Sequence, residues 1–425
     1  MILRRRITFR EEKSLGMRDR GIDWGAVAMA TIVMLVEGYD LVIYGSTLPI
    51  MLKESSLGLT VGVAGIVGSA VFFGMLFGGL SVGTLAHHLG LRAMLTVGIC
   101  CFSISMVGAA LIHEPWLFCM LRFLAGWGLG AVMPTCMAMT RQSSTTRLGP
   151  LAISTVMAGI PLGGMVASLF TYVGVATMGW RGLFVVGALL GVLLLPFVAA
   201  FARRVANNSE GSSQRQARKI PQPLWIIVLV GCLATFCFLL TYYGLVTWLT
   251  QLMTELRVPL SGALQLALVL NVGGAVGSVA IGVVAMRFGS LRTLVCAGVV
   301  SVAMLVLIPS GAVSGTGLMV VVTVLGMVAP ATQNLVNAII AESVPAENRA
   351  ASLGKTLGVG RVGAIAAPLL GSWLLASVPK GTGLTGGAGL VFVAFACTCL
   401  VGVGAALLFP FGARRAQAVK VESGR

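Results

Sequence analysis

Charge is scarce in this chain. Among 425 residues there are 13 Asp or Glu, 29 Lys or Arg and 3 His, so 10% are charged, where soluble domains carry about 25%. Too few charges are present to cover a water-facing surface, which excludes a soluble globular domain. His87, His88 and His113 lie in or beside loops, and all nine cysteines fall in apolar segments, away from His or acidic partners at ligand spacing. That pattern predicts neither a metal site nor an external disulfide. A hydrolase triad and a nucleotide loop are missing as well. Gly358, Gly360 and Gly363 do spell G-x-G-x-x-G, but no strand precedes them, so flexibility or close helix packing is the better reading. Enzyme function is not expected, and no cofactor is.

Apolar residues fill the space that charge leaves. They make up 57% of the chain, and the mean hydropathy is +0.98. Runs near the 20 residues that a helix needs to cross hydrocarbon fall at roughly 24–50, 61–86, 93–112, 116–139, 150–174 and 181–201, then at 224–252, 262–285, 293–310, 316–340, 351–376 and 387–410. The expected fold is therefore an all-α integral membrane protein of twelve transmembrane helices in two six-helix bundles. The predicted division is a tail at 1–23, a bundle at 24–202, a linker at 203–222, a second bundle at 223–410 and a tail at 411–425. The first run is too long for a signal peptide and lacks a small-residue cleavage site. The 56 glycines suit helices that pack through small side chains.

The net charge of +16 is a matter of topology rather than of nucleic acid. With the N-terminus placed in the cytoplasm, 23 of the 29 basic residues fall on that side. Lys53, Arg181, Arg257 and Lys380 fall outside, and Arg122 and Arg361 in the membrane. This bias places both termini in the cytoplasm of a multi-pass inner or plasma membrane protein. Contact with anionic lipid is a secondary expectation; nucleic acid is not a partner, and a monomer is expected.

The halves resemble each other. GTLAHHLGLR (83–92) and GVVAMRFGSLR (282–292) occupy matching turns, and Pro134 and Pro330 hold similar places, each followed by a basic loop. Internal duplication with a site at the repeat interface is how many secondary transporters are built.

Elimination isolates the ionisable groups. Eleven acids fall in loops or tails, leaving Glu37 and Asp40 in the membrane. Three residues apart, they share one helical face with Tyr44, and a carboxylate at mid-bilayer costs roughly 3 kcal/mol. If the chain couples transport to protons, these two are the carriers, able to share one proton and release it as access alternates. The alternative is a structural pairing with Arg122 or a capped helix break. Arg122 is either a structural partner of the first helix or a tuner of proton affinity there. Arg361 sits in an apolar helix of a half without any membrane acid. Its missing anion is a substrate carboxylate, held through two parallel hydrogen bonds, or else it pairs with backbone carbonyls or the first-helix acids. TYYGLVTWL supplies Tyr242, Tyr243 and Trp248; Asn271, Gln333, Asn334 and Asn337 add amides, and Tyr39 lies beside the acids. Aromatic walls with a few amides suit a flat aromatic acid, although Trp and Tyr also gather at membrane interfaces.

The 6+6 plan and the turn at 83–92 resemble the major facilitator superfamily. EGYDLVIYG (37–45), RFLAGWGLGAVMP (122–134), GWRGLFVVGAL (179–189) and GKTLGVGRVGAIAAPLLG (354–371) are similar to the aromatic acid:proton symporters within it. Glu37 replaces that group's usual first Asp, and His87, His88 and Leu91 stand where the superfamily turn has an Asp and more Arg. The resemblance implies import of benzoate or hydroxybenzoate anions by proton symport, with the proton gradient as energy source. Proton coupling would then rest on Glu37, Asp40 and Arg122, and substrate binding on Arg361, Tyr39, Tyr44, Tyr242, Trp248, Asn271, Gln333 and Asn334. A proton-driven exporter is the rival, because AGIPLGG (158–164) partly resembles the Gly-Pro motif of antiporters. A transporter-like sensor of aromatic acids is a third reading.

Overall fold

The computed structural model describes residues 23–142, 149–206, 224–378, 384 and 386–410. All regular structure among them is helical: α1 (Trp24–Met51), a 3-10 turn at Ser55–Leu57, α2 (Val61–Leu111), α3 (Pro115–Gln142), α4 (Gly149–Met157), α5 (Gly159–Ala206), α6 (Trp225–Glu255), α7 (Leu260–Phe288), α8 (Ser290–Leu307), α9 (Gly315–Ser343), α10 (Ala346–Ser377) and α11 (Gly387–Ala406). Local chemistry sets the starts. Asp23 accepts from the Ala26 amide before α1, and Thr60 from the Val63 amide before α2, each satisfying a donor that the first helical turn leaves open.

Two helices are long enough to cross a membrane twice, and both turn back at a glycine. The apolar stretch Thr155–Ala200 has 46 residues, about 69 Å of helix against about 30 Å of hydrocarbon. It breaks at Gly179, whose φ of 63° is open to glycine and costly for other residues. α2 breaks likewise at Gly90, with φ 78°. Contacts confirm the reversal in α2. Gly126 and Gly130 of α3 meet Val71 and Met75 in the same direction, whereas Gly98 meets Gly128 and Gly108 meets Leu121 in the opposite one. Counting α2 twice, and α4 with the first part of α5 as one, the described residues make twelve crossings. The repeat is visible in the backbone too, since Gly289, the counterpart of Gly90, has φ 88°.

Within each half the helices meet almost backbone to backbone. A Cβ on Gly126 would lie 1.9 Å from the Val71 carbonyl oxygen, and one on Gly38 1.9 Å from that of Ile160. Small side chains permit this approach, and packing rather than hydrophobicity holds helices together in lipid.

Contacts between the halves run from mid-depth to the face remote from the predicted linker. Gly45 of α1 lies against the Val246 and Thr247 carbonyls of α6, and Gly68 of α2 against Pro368 of α10. The Ser69 hydroxyl donates to the Ile365 carbonyl at 2.7 Å, and Gln265 of α7 donates to the Tyr172 hydroxyl of α5 at 3.0 Å. This face of the seam is closed.

On the same far face, Glu54 ties the first turn to α5. It accepts hydrogen bonds from the Trp180 indole and the Ser56 hydroxyl and pairs with Arg181 at 3.0 Å. Partial burial disfavours its charge, but these hydrogen bonds and the Arg181 guanidinium outweigh that and hold its carboxyl below the usual glutamate value. A lowered folded value means that the stabilisation is complete above the unfolded glutamate range and is lost as the pH falls through the folded value. Glu54→Gln should therefore unfold earlier at pH 7 and show a shallower fall in Tm between about pH 5 and 3. Parallel profiles for the two proteins would show that Glu54 contributes nothing.

Candidate functional site

The two membrane carboxylates part company at their tips. Both are buried, Glu37 to 1% exposure and Asp40 to 0%. Asp40 turns toward α3, where its Oδ1 accepts from Arg122 Nη1 at 2.6 Å, while its Oδ2 has no partner among the described residues. The Arg122 guanidinium also lies over the Tyr44 ring, 5.2 Å from its centroid. Asp40 and Arg122 thus form an ion pair wholly inside the first half, with Ser105, Leu121 and Phe184 around it.

Glu37 belongs to the seam instead. It lies within electrostatic reach of Asp40 on its own helix, of Cys136 of α3, and of Tyr243 and Arg361 in the other half. Its Oε2 has no hydrogen-bond partner among the described residues.

Arg361 projects from α10 into the first half. Its Nη1 donates to the Met75 carbonyl at 3.2 Å, and its Nη2 to the Met133 thioether at 3.4 Å. Room for it exists because residue 79 is glycine; a Cβ there would stand 3.2 Å from Nη1. Among the described residues no carboxylate lies within 4 Å, since the ion pairs are Arg122–Asp40 and Arg181–Glu54. Carbonyl and thioether oxygens and sulfurs are weak partners for a cation. Close by, Phe72 of α2 and Tyr243 of α6 meet across the seam with ring centroids 4.6 Å apart, and Tyr242 stands 5.3 Å behind Tyr243.

The other predicted residues are placed elsewhere. Tyr39 donates its hydroxyl to the Leu183 carbonyl at 2.8 Å, and Tyr44 to that of Ala64 at 2.7 Å; both rings are buried within the first half. Trp248 is buried in the second half, where its indole donates to the Pro368 carbonyl at 3.1 Å and braces α6 against α10. Asn271 donates to Ala267 of its own helix and faces Gly164 across the seam. Gln333 bonds weakly to Thr235 and Asn337, each at 3.3 Å, and its Oε1 lacks a partner among the described residues. Asn334 is exposed. Phe72, Met75, Gly79 and Met133 around Arg361 carried no signal in the sequence, because such residues on apolar helices read as packing. Tyr243 was legible only as one of a pair.

Twelve crossings in two pseudo-repeated sets, with buried charge at the seam between them, define a secondary membrane transporter. The chain belongs to the Major Facilitator Superfamily, whose family model matches residues 30–368. It is a multi-pass membrane protein, and its relatives are transporters rather than enzymes. A gentisate transporter of Corynebacterium glutamicum is 32% identical over 376 residues, covering 85% of this chain and 83% of its own. A benzoate transport protein of Acinetobacter baylyi is 29% identical over 395 residues, covering 83% of each. Among solved structures, a D-xylose-proton symporter superposes with a TM-score of 0.69 at 16% identity, over 91% of this chain and 97% of its own. A bacterial homologue of the lysosomal transporter Spinster, inward-facing and unoccupied, gives 0.67 at 14%, over 92% and 97%. At those identities the likeness is one of fold alone.

The Asp40–Arg122 pair makes an asymmetric prediction. A carboxyl can neutralise itself by binding a proton, whereas a guanidinium cannot. Asp40→Asn should therefore cost about 3 kcal/mol of stability in detergent, read as a lowered Tm, and Arg122→Leu should cost less. The double variant should recover most of the loss. Equal and additive losses would mean that the two side chains do not act as a pair.

Proposed function

We propose that this protein imports small aromatic carboxylates, of the benzoate and hydroxybenzoate class, by proton symport across the cell inner membrane. Arg361 carries the reading. Its guanidinium stands at the seam, where its hydrogen-bond partners among the described residues are a carbonyl and a thioether of the opposite half. A carboxylate would replace both with two parallel charged hydrogen bonds, and Phe72 and Tyr243 offer aromatic surface for the ring beside it. The names of the relatives, gentisate and benzoate transporters among them, support the same substrate class.

Asp40 and Glu37 are the proposed proton carriers. A proton on Asp40 removes the charge that holds Arg122, and Glu37 feels the charge of Arg361 directly. Loading of the proton therefore alters the field in which the anion binds. The basic linker and tails lie in the cytoplasm by charge bias, so the described conformation is closed to the outside. One proton per monoanion moves no net charge; two would gain about 2.3 kcal/mol per 100 mV of membrane potential.

The test is uptake of labelled benzoate into vesicles holding the purified protein, with an acid-outside gradient, with and without a protonophore. Protein-free vesicles are the control, because protonated benzoic acid crosses lipid unaided. Accumulation should depend on protein, collapse with protonophore and be competed by hydroxybenzoates. Arg361→Ala should raise the half-saturating concentration about tenfold or more, and Asp40→Asn/Arg122→Leu should fold yet fail to accumulate. Expulsion driven by the same gradient would make the protein an exporter, and saturable binding without flux a sensor.

A further inference from the structure

A cavity lies in the second half, on the face remote from the linker and away from Arg361. Its volume is about 730 Å³, within the range of small-molecule sites. The end of α6, the turn into α7 and the loop between α8 and α9 border it. Met253, Leu266 and Leu318 make an apolar floor, and Arg257 and Ser314 stand at the mouth. No acidic side chain lines it among the described residues.

The backbone at Arg257 is unusual. Its φ is 65°, the one positive value at a non-glycine among the described residues. The turn explains the angle. The Arg257 amide donates to the Thr254 carbonyl and the Val258 amide to that of Met253, which is the Schellman ending of a helix. Its left-handed position is ordinarily glycine, and a side chain there is strained. A long cation occupies the residue where folding favours no side chain at all, and that residue is exposed and lines the cavity.

Gln265 connects the cavity to the rest of the molecule. It lines the wall, and its Nε2 donates to the Tyr172 hydroxyl of the first half at 3.0 Å. This hydrogen bond spans the closed seam and must break when the far face opens.

We propose that this cavity is a second binding site for an amphipathic monoanion, an aromatic carboxylate, with Arg257 holding the carboxylate and the apolar floor taking the ring. The identity of the ligand rests on the proposed function; the site does not share a residue with the one at Arg361. A carboxylate bound here waits beside the seam that has to part before it can descend.

The probe is 4-azidobenzoate, a photoreactive aromatic carboxylate, applied to the full chain in phosphatidylcholine nanodiscs, with labelled peptides mapped by mass spectrometry. Labelling is expected on the Met253–Leu266 and Ile308–Met319 segments, competed by benzoate, and retained in Arg361→Ala. Arg257→Gly is the decisive variant, because glycine suits the turn and should raise Tm while labelling of these segments falls about tenfold. Arg257→Lys should keep most of it. Labelling confined to the seam around Met75 and Met133 would overturn the second site and leave the proposed function standing. No competed labelling anywhere would overturn both. Phosphatidylglycerol in the disc should leave the pattern unchanged; loss of cavity labelling alone would assign the site to an anionic lipid headgroup instead.

Discussion

A guanidinium has no neutral form available to it, and hydrocarbon offers it no water. Each arginine drawn into the membrane must therefore find partners within the protein, and the two in this chain find very different ones. Arg122 meets a carboxylate and the face of an aromatic ring inside its own half, so its charge is answered there. Arg361 reaches over to the opposite half and finds a carbonyl and a sulfur. The first arrangement fixes α1 against α3. The second leaves a cation with no carboxylate within 4 Å among the described residues, at a seam where the halves have to part and rejoin.

Hydropathy made the crossings legible, because a helix in lipid must be apolar for about 20 residues whatever it packs against. It could not tell a loop from a one-residue reversal, so the expected spans stopped a few residues short of Gly90 and Gly179, up to which the helices continue. The repeated turn motif was informative for a physical reason: Gly90 and Gly289 both need the left-handed backbone. Side-chain direction was harder. Spacing placed Glu37, Asp40 and Tyr44 on one face, but a face about 100° wide can serve two partners. Only the packed structure separates the acid that pairs with Arg122 from the acid that looks across the seam.

The aromatic residues illustrate the same limit. Tyr39, Tyr44 and Trp248 each have an apolar body and one donor, and in every case that donor is spent on a main-chain carbonyl. A buried hydroxyl or indole without an acceptor would cost more than the ring gains, so such residues double as struts. Sequence alone gives no way to tell a strut from a ring left free to meet a ligand; Phe72 and Tyr243, tilted against each other across the seam, are told apart from them by position.

The reversals at Gly90 and Gly179 also have a mechanical meaning. Two spans joined by a single residue cannot slide along each other or swing independently. Each such pair moves as a hairpin, and the α2 hairpin is zipped to α3 through Gly126 and Gly130. The first half thus has far fewer degrees of freedom than its number of crossings suggests. A shift of one span in such a pair carries the end of the other with it.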